Sequence, residues 1–120
     1  MRTVNITLIL FICFGFSAHA KRLSPKSLKP ISHAGLRYEA LPWAYENTKM
    51  KQNGGYVRVV NIRNGLPICT KQVYETKYDD QLESDVQDNF ITALKIEGNN
   101  LLINSEKLAP IQISLAGFCD

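Results

Sequence analysis

Apolar and polar residues alternate most cleanly near the end of the sequence. Ile111-Gln112-Ile113-Ser114-Leu115 puts every second side chain on one face, as a half-buried antiparallel strand requires. Phe90-Ile91-Thr92-Ala93-Leu94-Lys95-Ile96-Glu97 behaves similarly and sets Phe90, Thr92, Leu94 and Ile96 on a common face. Gly98-Asn99-Asn100 then turns the chain and Leu101-Leu102-Ile103-Asn104 returns it, so the stretch from Phe90 to Leu115 predicts a three-stranded meander. Upstream, Tyr56-Val57-Arg58-Val59-Val60-Asn61-Ile62 is dense in β-branched and aromatic residues. Asn64-Gly65 follows, a dipeptide that favours tight hairpins because both residues accept positive φ. The pattern predicts a hairpin of Tyr56–Ile62 with Ile68–Tyr78.

Weaker signals fill the gaps. Gly35–Trp43 reads as a short edge strand ending at Pro42. Ala44–Gln52 allows a helical turn without a capping residue, and Asn53-Gly54-Gly55 interrupts the chain. Asp79–Asn89 is an acidic connection with Leu82 and Val86 four apart, predicting one or two helical turns. There Asp80 stands as N-cap with Glu83 three residues on, the spacing of a capping box. Five or six short strands without β-α alternation predict a mostly β fold: a small antiparallel sheet or a curled, barrel-like meander, with at most one short helix.

The first twenty residues follow another rule. Arg2 precedes an apolar run from Leu8 to Phe16, and Ser17-Ala18-His19-Ala20 ends it in small residues. These are the parts of a cleavable secretory signal peptide over residues 1–20. The run is shorter than the roughly 20 apolar residues a spanning helix needs, and no membrane span is expected after cleavage. Lys21–Ala34, with Pro25 and Pro30 among several lysines, reads as a flexible basic arm ahead of a single domain over 35–120. The expected location is secreted or periplasmic.

Removal of the signal changes the available chemistry. Cys13 and His19 leave with it, so Cys69 and Cys119 remain as an even pair and are expected to form one disulfide in an oxidising compartment. His33 becomes the sole histidine. A hydrolase would have to recruit it with a carboxylate, and no Gly-x-Ser-x-Gly elbow presents a serine to it. One His and two oxidised Cys leave too few ligands for zinc, and the acidic run Asp79, Asp80, Glu83, Asp85, Asp88 lacks the glycine and spacing of a calcium loop. No cofactor, no metal and no catalysis are expected.

Charge then narrows the kind of partner. Lys21–Arg63 carries nine basic residues against Glu39 and Glu46, whereas Asn64–Asp120 carries four basic residues against nine acids. Such asymmetry suits an anionic partner, a protein or an envelope component. No basic patch interleaved with aromatics appears, and nucleic acid is not expected. Of the aromatic residues Tyr38, Trp43, Tyr45, Tyr56, Tyr74 and Tyr78, Trp43 and Tyr45 beside Pro42 are the two expected at the surface. The candidate binding surface is Trp43, Tyr45, Lys49, Lys51 and Arg58. The leading expectation is a small exported domain acting by surface binding, with enzyme inhibition as one subclass. The alternatives are a small hydrolase using His33, and a structural or envelope-assembly protein tethered by the basic arm.

Overall fold

A computed structural model describes residues 24–44 and 49–120. The signal-like segment, Leu23 and Tyr45 lie outside the described residues. Seven strands and one helical turn follow in order: β1 (Ile31–His33), β2 (Leu36–Leu41), β3 (Tyr56–Asn61), β4 (Pro67–Gln72), α1 (Ser84–Gln87), β5 (Ile91–Glu97), β6 (Asn100–Ser105) and β7 (Ile111–Ser114). All pairings are antiparallel and follow chain order, giving a four-stranded sheet β1-β2-β3-β4 and a three-stranded sheet β5-β6-β7. The protein is mostly β, as the alternation predicts, and among the described residues no closed barrel forms.

The two sheets share one core. Tyr38, Val57, Val59 and Tyr74 from the first half meet Ile91, Leu101, Ile103 and Phe118 from the second. Register explains the choice: Tyr38 lies opposite Val59, which lies opposite Cys69, so these three occupy one face of the first sheet. In the second, Leu94 opposes Ile103 and Ile96 opposes Leu101, while Ile103 and Leu101 in turn oppose Ile111 and Ile113. The Tyr38 ring meets Phe118 edge-on at 5.6 Å between centroids. Leu28 also packs against this core, and β1 begins at Ile31, so residues read as a free arm enter the structure before Ala34.

Several expected elements are relocated. Gly35–Trp43 is not an edge strand: β2 is flanked by β1 and β3. The turn that makes this possible is Ala34-Gly35, with φ of 51° and 78°, closed by His33 opposite Leu36. Two consecutive positive φ values are what a two-residue hairpin of the I′ kind demands. The Asn64-Gly65 connection is wider than predicted. Only Gly65 takes positive φ there, while the Asn64 side chain accepts from Leu66 N at 2.9 Å, an Asx turn inside a five-residue loop.

The returning strand stops at Gln72 rather than Tyr78. The Gln52 side chain, which is buried, takes over the backbone beyond it, donating to Tyr74 O at 3.0 Å and accepting from Thr76 N at 2.8 Å. In β5 the register shifts between Ile91 and Ala93, leaving Thr92 exposed as the inserted residue and turning Ile91 into the core in its place. The helix is a single turn with Glu83 as N-cap and no side-chain cap, so Asp80 does not start it. Gln87 organises that loop by donating to the carbonyls of Asp79, Leu82 and Glu83.

The expected cystine is present. Cys69 on β4 is bonded to Cys119, with 5.7 Å between their Cα atoms and a separation of 50 residues, so the cross-link ties the first sheet to the segment after β7. No helix among the described residues is long and apolar enough to cross a membrane.

Candidate functional site

The outer face of the first sheet departs from simple alternation. Val57 and Val59 point to the core, so Tyr56, Arg58 and Val60 point away from it, yet Tyr56 and Val60 are only 5% and 3% exposed. Leu41, opposite Tyr56 on β2, is also buried. Something therefore covers this face. The chain after β2 folds back over it: Gly54 N donates to Pro42 O, Ala44 N donates to the Asn53 side chain, and Lys51 N donates to the Tyr56 hydroxyl at 3.0 Å.

Beside this cover lies an open groove of about 510 Å³, lined by Leu41, Lys49, Met50, Tyr56, Arg58, Pro67, Thr70 and Gln72. Its floor is apolar and its rim carries cations. Arg58 sends two hydrogen bonds to Glu39 Oε2, at 3.0 and 2.7 Å, and Arg37 bonds Glu39 Oε1 at 2.7 Å. Partial burial pushes the Glu39 carboxyl up, but the hydrogen bonds from Arg58 and Arg37 outweigh it and hold the group below its ordinary range. One carboxylate thus answers two guanidinium groups, which leaves the cluster positive.

The five candidate contact residues divide. Lys49 and Arg58 meet in this groove. Lys51 lies next to it, in a hollow with Asn53, Tyr78 and Asp88 that shares Met50 with the groove. Trp43 is separate: it is 44% exposed and meets Phe90 edge-on at 5.4 Å, in a hollow that Pro25, Lys26 and Leu28 also line. Tyr38, Tyr56 and Tyr74 are buried structural groups.

A polar network holds the cover in place. Tyr78 donates to Asp88 Oδ1 at 2.6 Å and accepts from Asn53 N, the Asn53 side chain donates to Asp88 Oδ2, and Tyr74 donates to Asn89 O. Burial, then the bond to Asp88, pushes the Tyr78 hydroxyl up to about 12, and burial raises Tyr74 as well. These pairings give Asp88 and Tyr78 structural work in joining loops 49–55, 73–80 and 84–90.

His33 sits at the end of β1, and no carboxylate among the described residues hydrogen-bonds to it. No group of three or more His, Cys, Asp or Glu able to hold a metal ion occurs among the described residues. The residues overlooked by composition alone are Leu41, Met50, Thr70 and Gln72. Tyr56-Val57-Arg58-Val59-Val60 carried the signal: apolar residues stand on both faces of the strand, broken only by Arg58, and a strand that buries both faces must have a layer on each side.

No family model matches the chain, and neither a curated protein nor a solved structure matches it.

Proposed function

We propose that this chain is an exported, non-catalytic domain that binds an anionic partner protein through the outer face of its first sheet. The observation that carries the reading is the groove beside β3 and β4, where Lys49 and Arg58 stand beside exposed Pro67 and half-buried Met50, over the buried Leu41 and Tyr56. A contact of this kind combines the two terms recognition needs: desolvated apolar area for affinity, and positive charge at the rim for orientation and speed of encounter. The disulfide supports export, because such bonds persist in oxidising compartments.

The test is retention of proteins from an envelope extract by the immobilised, disulfide-bonded protein across a salt series. Retention should weaken steadily as the screening length falls below about 10 Å and should be largely lost in Lys49→Glu. The same proteins retained by Lys49→Glu and at high salt would refute the reading.

A further inference from the structure

The hydrogen-bond phase of β4 leaves part of its backbone facing outward. Val73 N donates to Gly55 O, and antiparallel ladders alternate bonded and non-bonded pairs. Cys69 and Lys71 therefore exchange bonds with Val59 and Val57, and Thr70 and Gln72 aim their N–H and C=O away from β3. On the other side of β3, Ile62 N donates to Gly35 O, which fixes the same phase. Among the described residues no backbone group pairs with the outward amides of Thr70 and Gln72.

Beyond Thr70 the edge is closed to pairing. Pro67 has no N–H, and the ladder bulges where Ile68 stands between the pairs Val60–Pro67 and Val59–Cys69. The side chains of Thr70 and Gln72 enter the groove that holds Lys49 and Arg58, so the free backbone and the cations belong to one surface. Asp120 follows Cys119, which is tied through Cys69 to the core side of β4, away from that groove.

We infer that β4 is a docking strand: an extended, acidic segment of the partner protein pairs with the backbone of Thr70 and Gln72 and continues the first sheet. This rests on the binding role proposed above and adds the conformation and charge of the bound segment. Strand addition draws affinity from main-chain bonds and specificity from alternate side chains. Here the alternate positions fall beside Lys49 and favour Glu or Asp. A second copy of this chain is disfavoured at the same edge, because antiparallel β4–β4 pairing sets like cations against each other.

The probe is a heptapeptide of alternating Glu and Val, blocked at both ends, added at about 1 mM to the disulfide-bonded protein. Amide exchange and shifts followed by NMR should show slowed exchange at Thr70 and Gln72. Full N-methylation of the peptide and Thr70→Pro should each weaken binding at least tenfold, and Lys49→Glu about fivefold. Gln112→Pro, at the outward-facing backbone of β7, should change nothing. If Thr70→Pro does not fold, exchange in the unmodified protein decides. No protection at Thr70 and Gln72, or protection that depends on protein concentration without peptide, overturns the inference. Loss in Lys49→Glu with none on N-methylation overturns strand addition while sparing the binding role, whereas indifference to both removes the two together.

Discussion

In the second sheet one face is buried and the other mostly polar: Leu101 and Ile103 are fully buried, while Thr92, Lys95, Asn104, Gln112 and Ser114 are exposed, with half-buried Leu102 among them. The first sheet does not divide so simply. β3 buries Val57 and Val59 against the core and Tyr56 and Val60 on the opposite face, where residues 42–44 and 49–55 and the Arg37–Glu39–Arg58 cluster lie. The second sheet is a wall. The first is a wall with a further layer outside it, and that layer supplies the groove.

Experiments that remove what the sheets share should have the largest effect. Replacing Cys69 and Cys119 by serine should lower stability by about 4 kcal/mol, the loop-closure value for a 50-residue separation, seen as a fall in the urea midpoint. An unchanged midpoint would mean that the core alone joins the sheets. Leu101→Ala should cost about 3 kcal/mol by leaving a cavity against both sheets, without altering the groove.

Gly54→Ala separates the regions more sharply. Gly54 has φ of 77°, and an added Cβ would strike the Asn89 carbonyl, so the substitution should cost about 2 kcal/mol. Its exchange signature should centre on residues 49–55 and on Asn89–Phe90, where the clash falls, leaving β6 and β7 amides protected. Loss of protection at β6 would argue against two separable layers.

Titration gives the smallest effects. Glu39 sits below its unfolded value, so its contribution is present above about pH 4.3 and lost as pH falls through the depressed folded value. Glu39→Gln should remove that acid slope at a cost of about 0.5 kcal/mol at neutral pH. Tyr78 is displaced upward, to about 12, so its contribution holds below pH 10 and decays as pH rises from 10 to 12. Tyr78→Phe should make that alkaline limb shallower in unfolding measurements, the rest belonging to Tyr74.

The contrast between the sheets also explains what could be read from residues alone. Period-two alternation located β5–β7 because one rule, apolar in and polar out, governs most of their positions; it failed at Thr92, where the bulge lies. The cystine followed from arithmetic on the cysteines that remain after the first twenty residues. What escaped depends on long-range partners. Gln52 ends β4 from 20 or more residues away, at Gln72 and Thr76, and no local pattern near Tyr74 announces it. β1 escaped because three residues are too few for a periodic signal, and Ala34 is an uncommon choice for positive φ. Of the candidate contact residues, Lys49 and Arg58 line one groove, and Trp43, which is exposed, meets Phe90 in a neighbouring hollow.

The base of the 42–55 loop has a consequence for engineering. Gly54 N to Pro42 O and Ala44 N to the Asn53 side chain close a neck, so the loop's ends stay together whatever lies between them. Doubling the length of such a loop adds only about 0.6 kcal/mol of closure entropy. Extra residues inserted between Ala44 and Lys49, with Lys49–Asn53 kept, would thus be displayed from the first sheet while Gln52 and Lys51 keep their bonds to the β scaffold.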